Sequence, residues 1–235
     1  MQDAFAHCEA LVRAADQDRA LATVFAPAEH RRALYALYAF NIEIARVRGA
    51  VKEPLAGEVR LQWWREVAAG ERAEEARGHP VASALVETMR RYDLPLRPFE
   101  EMIEGRHREL EGPPLGAELE DYCRQTSSTV MDLAGRILGG GGRDFAGPAG
   151  IAYAMARLFR AKAHQDDLRG QAARSYEQAL PLIAAAPAAV AAAWLPVALV
   201  PLYLEARGHP ANEVSALRRT WTLWRALRRG RPVAL

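Results

Sequence analysis

Three observations predict an all-α fold. Apolar residues recur at helical spacing through most of the 235-residue chain, as in Leu34, Leu37, Tyr38 and Phe40. No segment shows the sustained period-two alternation of a half-buried strand. Breaks come from glycine and proline, at Gly78-His79-Pro80, Leu94-Pro95-Leu96, Gly112-Pro113-Pro114 and the four glycines Gly139 to Gly142. The length suits one sizeable core and requires no second domain. Residues 1–235 are therefore read as one helical domain of eight to nine helices.

Composition bounds the function classes. The chain is 50% hydrophobic and 26% charged, as in a soluble globular protein. Its net charge of +2 gives no case for a nucleic-acid binder. Lys52 and Lys162 are the only lysines, so nearly all positive charge is arginine. Cys8 and Cys123 have no metal-ligand spacing and are expected as free thiols in a reducing compartment. Met1-Gln2-Asp3-Ala4 is not a basic segment leading into an apolar core, so a cytoplasmic location is expected rather than a secretory one.

In chain order, Asp3 is the expected cap of a first helix reaching Ala15. Asp16 to Ala26 reads as a loop and short turn. Pro27 and Glu29 suit the start of a long helix through Tyr38 to about Val47, with Gly49 as its stop. Pro54 opens the next helix, with Val59, Gln62, Trp63 and Glu66 on one face. Trp63 and Trp64 cannot face the same way on a helix, so one is expected in the core and the other at a helix–helix seam. Helices are predicted over Val81 to Tyr92, Arg97 to Leu110, Leu119 to Leu138 and Pro148 to about His164. Gly170 to Ala179 is polar with a helical option. Pro181 to Leu204 contains no charged residue and is long enough to span a bilayer. Its alanines are weakly hydrophobic and four prolines interrupt it, which favours a kinked core segment. The last helix is predicted from about Asn212 to Arg229.

Several segments, in order, resemble the squalene/phytoene synthase family. They are Tyr38-Ala39-Phe40, Leu61 to Arg65, Gly78-His79-Pro80, Tyr122-Cys123, Ile137-Leu138-Gly139 and Pro196 to Leu204. The resemblance implies an isoprenoid-synthase-like helical bundle with a central cavity. It also implies two Asp-rich motifs holding Mg²⁺ against a prenyl diphosphate. Ionising that leaving group needs hard cations, and clustered carboxylates supply their oxygen ligands. At the first motif this chain has Ala45, Arg46 and Gly49, and at the second it has Arg160-Ala161. No metal site and no catalytic residue is therefore expected. Tyr38, Asn41, Glu43, Arg46, Arg160, Asp166 and Asp167 are read as vestigial cavity or substrate-binding residues. Ser127, Ser128 and Thr129 either line a polar remnant of the cavity or pack at a helix crossing.

Two functional readings follow. Ala39-Phe40-Asn41-Ile42-Glu43, Gln125-Thr126-Ser127-Ser128 and Arg160-Ala161 resemble the non-catalytic branch of the family that assembles respiratory complex I. That branch implies a complex I subunit or assembly intermediate as partner, no cofactor, and a lipid or prenyl ligand as an option. The alternative is a head-to-head prenyltransferase acting on farnesyl or geranylgeranyl diphosphate, with Asp166, Asp167 and Glu43 recruited for Mg²⁺. A zinc site is not indicated, because no two histidines stand at i, i+4.

Near the C-terminus, Leu217, Trp221 and Trp224 share one helical stripe among Arg218, Arg219, Arg225, Arg228 and Arg229. Amphipathic helices usually bury such a stripe in their own core. Tryptophan beside arginine also suits a membrane interface, which makes Trp221, Trp224 and Arg225 membrane or partner contacts. On that reading the protein sits peripherally on the inner membrane, on the matrix side in a eukaryote.

Overall fold

The computed structural model describes residues 4–140, 143–161, 166–205 and 214–233. Among these residues every regular element is helical. The Asp3 cap and the Asn212 helix start lie outside the described residues.

Asp16 alone separates α1 (Ala4–Ala15) from α2 (Gln17–Val24). The loop expected over Asp16 to Ala26 is mostly this second helix. Its start is fixed by the Asp16 carboxylate, which accepts from the Arg19 backbone N–H at 3.2 Å. Burial of Ala20, Ala22 and Thr23 holds it against the bundle.

α3 (Ala28–Ala50) runs through the centre. Every residue from Ala33 to Ile42 is buried, because α1, α2, α4, α6, α7 and α9 surround it. α4 (Pro54–Ala69) starts on a proline and stops at Gly70, whose φ of 83° is readily adopted only by glycine. Trp64 is buried edge-on against Phe40, with ring centroids 5.4 Å apart. Trp63 is half-buried at the seam and donates from Nε1 to Glu75 at 2.8 Å. The expected division of the tryptophan pair holds. The His79 ring lies within 5.4 Å of both indoles. It follows α5 (Ala73–Gly78) and caps α6 (Pro80–Arg91), accepting from the Ala82 N–H at 3.3 Å.

α7 (Leu96–Glu111) is followed by α8 (Glu118–Cys123), a π-helical turn at Arg124–Ser128, and α9 (Thr129–Ile137). The single helix expected over Leu119 to Leu138 is thus widened by one turn in its middle. Two hydroxyls bond back along it, Thr126 to the Tyr122 carbonyl at 2.7 Å and Thr129 to the Arg124 carbonyl at 3.1 Å.

α10 (Arg143–Ala161) packs along α11 (Asp166–Ala185), which absorbs the polar Gly170 to Ala179 stretch. The uncharged run then breaks at its prolines. It forms 3₁₀ turns at Ala188–Val190 and Leu195–Leu199, with α12 (Ala191–Trp194) and α13 (Val200–Glu205) as short helices. Ala188–Glu205 is apolar and long enough to cross a membrane by length and composition, yet 72% of it is buried inside the bundle. It is the expected kinked core segment. α14 (Ala216–Arg229) closes the described fold, capped by Ser215 and ended by Gly230 at φ 68°.

Candidate functional site

A cavity of about 410 Å³ opens between the α1–α2 junction, α3, α7, the π-turn and α10. Asp16 and Arg19 line it from the junction, and Asn41, Ile42, Ala45 and Arg46 from α3. Arg106, Tyr122, Thr126 and Ser127 line it from α7 and the π-turn, and Tyr153, Ala154, Arg157 and Leu158 from α10. Among the described residues, its charged lining is four arginines and one carboxylate.

That carboxylate is fully occupied. Asp16 Oδ1 accepts the cap bond, and Oδ2 lies 3.0 Å from Arg19 Nη1 and 3.5 Å from Arg157 Nη1. The Arg19 guanidinium lies over the Tyr38 ring at 5.4 Å and the Tyr153 ring at 5.5 Å. Burial pushes the Tyr38 phenol well above its ordinary range, so it remains neutral beside this cation. On the far wall Arg106 reaches Glu109 at 3.1 Å and contacts the Tyr122 hydroxyl. Burial pushes the neighbouring Cys123 thiol up to about 12, with Arg106 opposing.

Behind the cavity, Asp18 joins four helices. It accepts from the Tyr153 hydroxyl at 2.9 Å and from the Tyr203 hydroxyl, and pairs with Arg219 at 3.7 Å. Burial first, then the Asp18 charge, raises both phenols, which keeps them as donors.

The expected site residues divide among several places. Tyr38, Asn41 and Arg46 come together at this cavity or its wall. Glu43 instead lines a separate groove with Trp63, Trp64 and His79, 3.9 Å from Arg46. Arg160 lies outside the cavity, its guanidinium 5.1 Å from the Tyr203 ring centroid. Asp167 is exposed on α11, accepts from Gln171 at 2.7 Å and faces a groove with Arg124 and Arg174. Asp166 begins α11, and its side chain lies outside the described residues. Ser128 packs at the helix crossing, where its hydroxyl donates to the Gly147 carbonyl at 2.7 Å, whereas Ser127 lines the cavity.

Sequence reading missed Asp16, Arg19, Arg106 and Arg157. The Asp16–Arg19 spacing ahead of an Ala-rich segment was a usable capping and ion-pair signal. Arg106 and Arg157 had none, since only the fold directs them inward.

α14 departs from the expectation of a docked tryptophan stripe. Leu223 and Ala226 are its buried residues, and Arg219 reaches inward to Asp18. Leu217 is 84% exposed, Trp221 58% and Trp224 40%. The two indoles stack on each other at 5.0 Å instead of on the bundle, and Arg228 covers Trp224 at 5.6 Å. The inward ion pair and the small Ala226 rotate the large aromatics outward.

Among the described residues, the metal that the family resemblance implies finds no fitting donor set in this cavity. Mg²⁺ takes oxygen ligands, and the one carboxylate among the described lining residues is held by two arginines. Ala45 lies in the cavity wall where the resemblance places the first aspartate. Among the described residues, no group of three His, Cys, Asp or Glu side chains could hold a metal ion.

A bundle of this topology, with α3 and α10 facing each other across a cavity, defines the isoprenoid-synthase class of helical folds. Residues 12–164 match the squalene/phytoene synthase family, and the chain belongs to it. The fold is similar to that of a dehydrosqualene synthase solved in complex with ligand. The TM-score is 0.75 at 16% identity, covering 97% of this chain and 96% of that one. It is also similar to squalene synthase HpnC from Alicyclobacillus acidocaldarius, with TM-score 0.63 at 19% identity, over 98% and 95% of the two chains. In sequence it is 31% identical over 135 residues to human NADH dehydrogenase (ubiquinone) complex I, assembly factor 6, covering 57% of this chain and 40% of that protein. A Drosophila melanogaster homolog of that factor is 32% identical over 170 residues, covering 66% of this chain and 49% of its own length. The chain thus spans less than half the length of these curated relatives.

Proposed function

We propose that this protein is a non-catalytic member of the family that assists assembly of respiratory complex I. The observation that carries the reading is the cavity's donor set. Where prenyl coupling needs carboxylates around a hard cation, this chain presents Ala45 and arginines. The likeness to assembly factor 6 supplies the partner class, a complex I subunit or assembly intermediate. Of the carboxylates that the alternative prenyltransferase reading recruits, Glu43 and Asp167 line two different grooves, and the Asp166 side chain lies outside the described residues.

The location proposed is the cytoplasm, with peripheral contact at the inner membrane, on the matrix side in a eukaryotic host. The exposed Trp221–Trp224 stack beside Arg225 and Arg228 supports that contact. Deleting the gene in its host and measuring assembled NADH:quinone oxidoreductase tests the function. A reduced level of complex is expected, and an unchanged level would sink the reading.

A further inference from the structure

We infer that the groove between α4 and α7 is a docking site for a basic amphipathic helix of a partner protein. The partner's class, a complex I subunit or assembly intermediate, rests on the function proposed above. The first ground is apolar surface that nothing in the fold covers. Leu55 and Val59 stand one turn apart on α4 and are 69% and 64% exposed. With Leu61, Trp63 and, from α7, His107, they line a groove of about 580 Å³. A Cβ on Gly57 would fall 2.6 Å from Leu110, so the last turn of α7 abuts the first turn of α4. A groove between two packed helices accepts a third helix through apolar residues at i and i+4.

The second ground is the rim. One side is already bonded within the chain. Glu66 accepts from Gln62 at 2.9 Å and from Arg72 at 2.7 Å. Arg72 also donates to Glu75 at 2.7 Å, and Glu75 accepts the Trp63 indole N–H at 2.8 Å. Arg65 lies 3.5 Å from Glu104. These bonds fix the wall before a partner arrives, which lowers the ordering cost of docking. The charge left over at the Leu55 end is acidic. Glu53 and Glu58 on α4 and Glu111 at the end of α7 are exposed, with no ion pair among the described residues. Lys52 is the unpaired cation beside them, and the unpaired Arg60 lines the separate groove of Glu43 and His79.

Charge selects the occupant. An acidic rim repels an anionic bilayer and attracts Lys or Arg flanking an apolar stripe. The α14 surface is the reverse, because its exposed indoles stand among arginines. These two apolar surfaces therefore suit different surroundings, a protein helix at α4–α7 and a lipid surface at α14.

Fluorescence anisotropy of the full chain tests the site with two labelled amphipathic helical peptides. One is built of Leu and Lys, and the other has Glu in place of Lys. The Leu–Lys peptide is expected to bind at low salt, about tenfold tighter than the Leu–Glu peptide. Leu55→Ser with Val59→Ser is expected to weaken it about tenfold, and Glu58→Lys several-fold. Val24→Ser, at an exposed position of α2, leaves it unchanged. If the double variant fails to fold by circular dichroism, Glu58→Lys carries the test. In the host, the double variant is expected not to restore NADH:quinone oxidoreductase to a gene deletion that the parent chain restores. Equal restoration by parent and variant overturns the groove and leaves the assembly role standing. A deletion that leaves the complex unchanged overturns the assembly role, and the peptide titration still decides the groove. Equal binding of the two peptides, or unchanged affinity in the folded variants, overturns the groove. So does a dimer of the parent chain that the double variant abolishes, since a second copy would then be the occupant.

Discussion

Arg157 on α10 and Asp16 at the head of α2 stand 141 residues apart in sequence, and their side chains meet at 3.5 Å. This contact places a guanidinium on the only carboxylate among the described residues that line the cavity. A site that elsewhere in chemistry would gather acidic groups around a cation here has its acid neutralised twice over. Among the described residues, the charge lining this cavity is mostly that of guanidinium groups.

Asp18 is expected to be a stability centre. Asp18→Ala leaves the Tyr153 and Tyr203 hydroxyls and the Arg219 guanidinium without their shared acceptor. Removing one partner from a buried charged network costs about 3–5 kcal/mol. Tyr203→Phe removes one hydrogen bond and is expected to cost about 1–2 kcal/mol. Urea unfolding compares them, and equal costs would contradict the shared-acceptor account.

Gly150 on α10 lies against Ser128 so closely that an added Cβ would fall 2.3 Å from the Ser128 Cα. The neighbour is backbone and cannot rotate away. Gly150→Ala is expected to destabilise by about 1–3 kcal/mol, against little change for Gly147→Ala, whose Cβ would meet nothing within 4 Å. Thermal melting of both variants decides it.

His79 should make stability pH-dependent. Burial holds its imidazole below its usual 6.5, partly opposed by Glu43. The unfolded chain therefore binds the proton more readily than the folded one. Stability is full above about pH 6.5 and falls as pH drops from there through the folded-state value. His79→Asn keeps a capping side chain without the titration. Urea midpoints at pH 7.5 and 5.5 are expected to fall further apart in the parent than in the variant.

The α14 tryptophans predict lipid binding. Trp221 and Trp224 stack outside the bundle, while Leu223, Ala226 and Arg219 anchor the helix from its other face. Trp221→Ala with Trp224→Ala is expected to leave the melting temperature within a few degrees and to abolish sedimentation with anionic vesicles at low salt. A large drop in melting temperature would place the indoles in the core after all.

These residues also mark what the sequence could and could not convey. The all-α class, the central α3, the divided Trp63–Trp64 pair and the kinked Ala188–Glu205 segment follow from periodicity and from proline placement. Ala45 and Ala161, where the family resemblance places aspartates, were readable because they fall within local motifs. The cavity itself was only partly readable. Tyr38, Asn41 and Arg46 lie on one helix beside the motif, but Asp16, Arg106 and Arg157 reach it from three other elements. Glu43 shows the same limit from the other side. It is two residues from Asn41, and helical geometry turns it into a different groove. On α14 an apolar stripe was legible, but its direction was set by the tertiary ion pair of Arg219 with Asp18.

Turnover of prenyl diphosphate tests the central claim most directly. The purified protein is incubated with farnesyl or geranylgeranyl diphosphate and Mg²⁺, and products are resolved by mass spectrometry. With Asp16 held by Arg19 and Arg157 and with Ala45 in the cavity wall, the expected result is unreacted substrate. A squalene-type or phytoene-type product formed at the rate of a working synthase would contradict the account.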